Sequence, residues 1–152
     1  MRRPRRSGLS EDRGSASLEF LTLGTLLIVP LAYLMLTLSS LQGASIAAES
    51  AARNAARLLA AEPAAADTQA LAEATIALAT ADHGFDAKLV EQTVECRGPD
   101  PSCTAPGSVL AVTVTIAVPL PFASSLTDSA TPISVPTSAT SSFAVTRFGL
   151  ST

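Results

Sequence analysis

Tryptophan is absent from these 152 residues, and aromatic side chains make up only 4% of them. Hydrophobic residues reach 47% all the same, but many are alanine, which buries little area per residue. A core built this way is modest in stability and leans on a crosslink or on neighbouring subunits. No Gly-rich phosphate loop and no carboxylate pair in a defined context is present. A Ser/His/Asp set can be assembled on paper from the many serines and the single His83, but no nucleophile motif surrounds any of them. No catalytic set emerges, so the chain reads as a non-enzyme that needs no cofactor. Positive charge is also scarce beyond the start: Arg2, Arg3, Arg5, Arg6 and Arg13 are five of the ten basic residues. No basic or aromatic residues elsewhere extend that cluster into a nucleic-acid surface, so nucleic acid is not an expected partner.

One absence is itself a signal. Residues 20–38, FLTLGTLLIVPLAYLMLTL, contain no charged side chain over nineteen positions. As a helix this run measures roughly 28 Å, close to the ~30 Å hydrocarbon thickness of a bilayer. Only Thr22, Thr25, Tyr33 and Thr37 interrupt it, which is no polar stripe, so the run predicts a single membrane span. The Arg-rich head before it predicts orientation by the positive-inside rule, with the N-terminus cytoplasmic and the remainder extracytoplasmic.

Helical signals continue past the span. Residues 39–62 lack proline and are rich in strong helix formers, Glu49 precedes Arg53 by four in the favourable order, and Pro63 closes the segment. The sequence thus predicts a basic leader over 1–14, a spanning and projecting helix over 15–62, and an exported α+β domain over 63–152. Within that domain a second helix, capped by Asp67 or Thr68, runs to about Ala81. Leu71, Ala74 and Leu78 share one face of it with Ile76 beside them, and Gly84 stops it. Alternation then replaces helical periodicity. Strands are expected over 88–96, with Val90, Val94 and Cys96 on one face, and over 109–118. In the second, Leu110, Val112, Val114, Ile116 and Val118 oppose Thr113 and Thr115. A weaker strand is expected over 139–148, with Phe143 and Val145 inward. The three strands predict an antiparallel sheet covered by the second helix. Residues 119–138, dense in Pro, Ser and Thr, read as a long loop, either a plain connection or a partner contact.

The junction RGSASLEF, residues 13–20, is the most informative stretch. Gly14 ends the charged leader, and Glu19 stands at the start of the apolar run, where a carboxylate is costly to insert and calls for a partner. A cut after Gly14 would place a new amino group at Ser15, one helical turn from Glu19. That cation could neutralise the carboxylate in the same subunit or in an adjacent one. This arrangement resembles a type IV prepilin, most closely the TadE/TadG-like pseudopilins of tight-adherence (Flp-type) pilus systems. In that family a short basic leader ends in Gly, a prepilin peptidase cuts after it, and Glu occupies the fifth mature position. Glu19 is fifth counting from Ser15, Phe20 beside it is common in the family, and ASIAAESAARNAARLLA is similar to the family's Ala-rich segment. The resemblance covers residues 13 to about 61. It implies a pilin-like assembly subunit whose partners are the membrane, the peptidase and other pilin and pilus-assembly subunits. Two other readings stand beside it. Glu19 could be an incidental interfacial residue of an uncleaved anchor that carries a binding domain. Alternatively, a signal peptidase could release a small secreted domain by cutting near Ala47 or Ala48, although the apolar core exceeds a typical signal-peptide run.

Cys96 and Cys103 are the only cysteines. In an exported domain an even pair this close predicts a disulfide around a short loop. A metal site would need further ligands, and His83 with Asp82 and Asp86 is a poor candidate set. His83 reads as a solvated residue at a helix end.

Overall fold

The computed structural model describes residues 12–63, 67–98, 102–123 and 133–145, with side chains from Ser15 onward. The chain forms two compact units that meet between Thr37 and Leu38. The first helix, α1 (Asp12–Ala61), is a continuous run of 50 residues that includes Pro30 and contributes to both units. The fold class is α+β: one long apolar N-terminal helix, a second helix, and a three-stranded antiparallel sheet.

In the first unit no described residue covers the helix. Leucine, isoleucine, valine and methionine side chains from Leu18 to Leu36 stand open on all sides. The polar interruptions are partly silenced by the helix itself. The Thr22 hydroxyl donates to the Leu18 carbonyl at 2.7 Å and the Thr37 hydroxyl to the Tyr33 carbonyl at 2.9 Å. Satisfied this way, a threonine adds little cost to an apolar environment.

The second unit begins inside α1, at Leu38. Ala44, Ala47, Ala48, Ala51, Ala52, Ala55, Ala56 and Leu59 are buried, repeating at the three- and four-residue steps of one helix face. This stripe lies in one core cluster with the inward side chains of β2 (Val109–Pro119). Alanine contributes little transfer energy per residue, but it lets a helix backbone lie close to a sheet, where many weak dispersion contacts accumulate. The solvent face of the same segment carries the exposed Glu49–Arg53 ion pair at the expected spacing, worth a few tenths of a kcal/mol.

β2 is the central strand, flanked antiparallel by β1 (Val90–Arg97) and β3 (Ser134–Ala144). Its alternation is as the sequence predicts, since Leu110, Val112, Val114, Ile116 and Val118 are all buried. Phe143 packs against the core and Val145 is buried, both inward as expected. The helix α2 (Thr68–Ala81) ends with Gly84 at φ +81°, and the Phe85 N–H donates to the Thr80 carbonyl at 3.1 Å. Glycine adopts that left-handed geometry without steric cost. Asp67 holds the N-cap position but makes no side-chain cap bond.

Four expectations need correcting. The main cover of the sheet is the alanine stripe of α1, with α2 adding Ala72 and Ile76. The face α2 buries is Thr68, Ala72, Ile76 and Thr80, whereas Leu71 and Leu78 are 55% and 66% exposed. β1 starts at Val90, after a single 3-10 turn over Ala87–Leu89, and Val94 on its inward side remains partly exposed. β3 starts at Ser134, within the segment read as loop; residues 124–132 of that loop, and 146–148 of the expected strand, lie outside the described residues. Pro136 explains the late start in the sequence reading, because proline argues against a strand interior. The Leu120 N–H donates to the Ile133 carbonyl and the Val145 N–H to the Ser108 carbonyl. Odd-numbered residues of β3 therefore turn their backbone polar groups to β2, and even-numbered ones turn theirs outward. Pro136 falls on the free edge, where its missing N–H costs no ladder bond.

The two ends of the second unit can be told apart. Leu59 of α1, Pro63 just beyond it, Gln69 of α2, Cys96 of β1 and Leu110 of β2 line one cleft. The stripe from Ala44 to Leu59 rises about 22 Å and β2 from Leu110 to Val118 about 27 Å. Leu59 and Leu110 share the cleft end of the common core.

Candidate functional site

The junction that the sequence singles out lies on the first turns of α1, since Gly14, Ser15 and Glu19 all have helical backbone. Four residues of helix separate Ser15 from Glu19, a rise of about 6 Å that puts both on one face. Both side chains are exposed, as are Leu18 and Phe20 on either side of the carboxylate. Among the described residues Glu19 has no ion-pair partner. The carboxylate is therefore displayed at the margin of an apolar surface, open to a cation that approaches from outside the helix. The surroundings of Gly14 and the basic leader over 1–11 lie outside the described side chains.

The adjoining surface is the larger feature. Ser15–Ala61 contains a stretch long and apolar enough to cross a membrane, and none of that stretch is buried inside the molecule. A soluble monomer rarely leaves an apolar patch above a few hundred Å² uncovered. Lipid or a partner helix is the natural cover. The helix fits a membrane anchor on length and composition.

Cys96 and Cys103 form a disulfide, with Cα atoms 5.7 Å apart. Cys96 pairs with Leu110, one residue before the last pair of β1, and Cys103 is buried at φ +57° in the connection to β2. A left-handed residue here lets the chain double back within a few residues, which puts the second sulfur within reach of the first. The bond closes a short loop at the connected end of the β1–β2 hairpin, for about 2 kcal/mol or somewhat more by loop closure. In protein isolated from an oxidising compartment, alkylating reagents should modify neither cysteine until a reductant is added, and both afterwards. Intact-mass measurement reads this directly, and labelling of the unreduced protein would remove the crosslink together with the compartment it implies.

His83, Asp82 and Asp86 are exposed around the end of α2. Among the described residues no group of three or more His, Cys, Asp or Glu side chains could hold a metal. Sequence reasoning missed the outward display of Leu71 and Leu78, and also the exposed Phe122 just after β2. The run PLPF was a signal for the latter, but it was absorbed into a loop reading. Compared with protein-family models, with curated proteins and with solved structures, the chain matches none.

Proposed function

We propose that this protein is a pilin-like assembly subunit of the TadE/TadG type, anchored in the cell membrane by α1 and processed after Gly14 by a prepilin peptidase. The observation that carries this reading is the placement of Glu19: one turn from Ser15, exposed, unpaired among the described residues, and at the edge of an uncovered apolar helix. Cleavage creates an ammonium group at Ser15. In a bundle of such helices the Glu19 carboxylate of one subunit neutralises the terminal ammonium of another, which makes lateral association favourable where either charge alone would oppose it. The Arg-rich leader holds the N-terminus in the cytoplasm until the cut, and the sheet-bearing unit lies outside the membrane. The subunit acts through contact with other pilus components and not through chemistry of its own.

The N-terminal residue of the mature protein tests the processing step. Co-expression with a prepilin peptidase should yield a chain that begins at Ser15, and Gly14→Phe should leave the leader attached because a peptidase site built for glycine has no room for a ring. An unchanged mass for the unsubstituted chain would reject cleavage and favour the uncleaved anchor. A start near Glu49 would favour secretion by signal peptidase.

Glu19→Leu tests the charge pairing. Removing a carboxylate from the membrane edge should leave insertion intact or improve it, since acidic side chains cost up to about 3 kcal/mol even at the less favourable mid-span depth. Assembly should fail, because the Ser15 ammonium then lies unpaired at a helix contact. Membrane fractionation and crosslinking to pilus partners read the two effects separately. Partner capture at the unsubstituted level would leave Glu19 as an incidental interfacial residue.

A further inference from the structure

Within the second unit, α2 turns both of its leucines away from the core. Leu71 and Leu78 are largely exposed, and Ala74 and Ala81, which share their side of the helix, are exposed as well. Positions 71, 74, 78 and 81 recur at alternating steps of three and four, the spacing that lines side chains up as one ridge along a helix. Asp67 at the N-cap and Asp82 at the C-cap bound this ridge. Between them it is apolar throughout.

The two flanks of the ridge differ in sign of charge. On one flank Thr75 shares a groove with Asn54, Arg57 and Leu58 of α1. Arg57 is exposed there and has no ion-pair partner among the described residues. On the other flank Glu73 shares a hollow with Val90 and Gln92 of β1, and the Gln92 side-chain amide donates to its carboxylate at 3.3 Å. Glu73 is exposed too, and no cation among the described residues pairs with it. Positions 73 and 75 are about 200° apart around the helix, so the anion and the cation stand on opposite sides of the leucines.

An apolar ridge between a cation and an anion is complementary to itself. A two-fold axis parallel to α2 lays a second copy's ridge on the first, with the two helices parallel. The same rotation exchanges the flanks, so the partner's Glu73 comes to the Arg57 side, only about 3 Å along the axis from the level of Thr75. An antiparallel pairing would instead set Glu73 against Glu73 and Arg57 against Arg57. We propose that the outward ridge of α2 is a contact between two copies of this chain, parallel, with leucine on leucine and Arg57 of each copy facing Glu73 of the other. In this pair both copies' Leu38 ends lie at the same end, as two chains that enter one membrane need. The proposal rests on the membrane reading of α1: a ridge this short holds few contacts, and confinement to a bilayer raises the effective concentration at which the copies meet.

The native cysteines are bonded to each other, so one added cysteine reports alone. Full-length chains carrying Leu71→Cys, Leu78→Cys or, as an exposed control on β3, Ser138→Cys are placed in phosphatidylcholine–phosphatidylglycerol vesicles and oxidised with copper–phenanthroline. The proposal expects disulfide-linked dimer at positions 71 and 78 and little at 138. Arg57→Glu in the Leu78→Cys chain should lower the dimer yield roughly fivefold, and Glu73→Arg added to that chain should restore it. Recovery of this kind is not expected of a cysteine that is merely exposed. Vesicle flotation reads the anchor separately: chains that do not float end the membrane reading and this proposal together. Chains that float but link at 71 and 78 no better than at 138 overturn the proposal and leave the anchor standing. Position 71 joining to 78 in preference to itself, read by peptide mass in a mixture of the two variants, means an antiparallel contact and overturns it as well. So does a dimer indifferent to Arg57→Glu.

Discussion

Val114→Asp should unfold the sheet-bearing unit while leaving the apolar half of α1 helical. Val114 is fully buried in the middle of β2, where its side chain lies within the core that includes the alanine stripe. Every side chain in that cluster is apolar, so a carboxylate there would have neither a cation nor a hydrogen-bond donor among them. An uncompensated buried charge costs roughly 3–5 kcal/mol in proteins, against a total stability of about 5–15 kcal/mol for an ordinary domain. A core made largely of alanine belongs near the lower end of that range. Amide hydrogen exchange in detergent micelles separates the two units: protection over 109–119 should collapse, while protection over 20–38 persists because the helix bonds of the span need no help from the sheet. Retained protection across β2 would mean that Val114 does not face a closed core.

The second large effect concerns added volume. Ala52→Leu should destabilise the same unit by roughly 3 kcal/mol. Ala52 is 0% exposed and stands mid-stripe, with Ala48 and Ala56 one turn away on either side. A leucine there has no solvent-facing escape, so the helix has to lift from the sheet, and every neighbouring contact of the stripe lengthens with it. Asn54→Leu provides the control: the same helix and nearly the same depth along it, but an exposed position, where leucine is a good helix former. That change should stay within about ±0.5 kcal/mol. Urea titration followed by exchange at β2 compares the two, and equal effects would show that the stripe is not tightly seated.

These two sites also show what the sequence could and could not reveal. The five inward residues of β2 are legible because period-2 alternation of large apolar residues admits one reading. The alanine stripe is harder to see, because alanine scores as a helix former on any face, so a helix over 39–62 was expected without a buried side. Without a visible buried side on α1, the sequence points to α2 as the cover and to Leu71 and Leu78 as its inward face. Burial in α2 goes to Thr68, Ala72, Ile76 and Thr80, one face at four-residue steps that the Leu71 and Leu78 positions do not share. The position of Pro136 on the outer edge of β3 depends on which neighbour each strand finds, and no local pattern encodes that. The junction at Gly14, Ser15 and Glu19 was legible as a spacing. The cysteine pair was legible because so few residues separate its members.

The meander has a kinetic consequence. Each strand of the sheet pairs with its neighbour in sequence, β1 with β2 and β2 with β3, so the pairing is local and needs no crossover. Topologies dominated by local pairings fold fast, because little chain entropy is lost before contacts form. The distant closures are the docking of the alanine stripe and of α2, both of which lie N-terminal to every strand. A chain delivered N-terminus first therefore presents its helical cover before the surface it will cover exists. The apolar face of β2 can be capped as the second hairpin forms, which shortens the time that an unprotected sheet could pair with another chain.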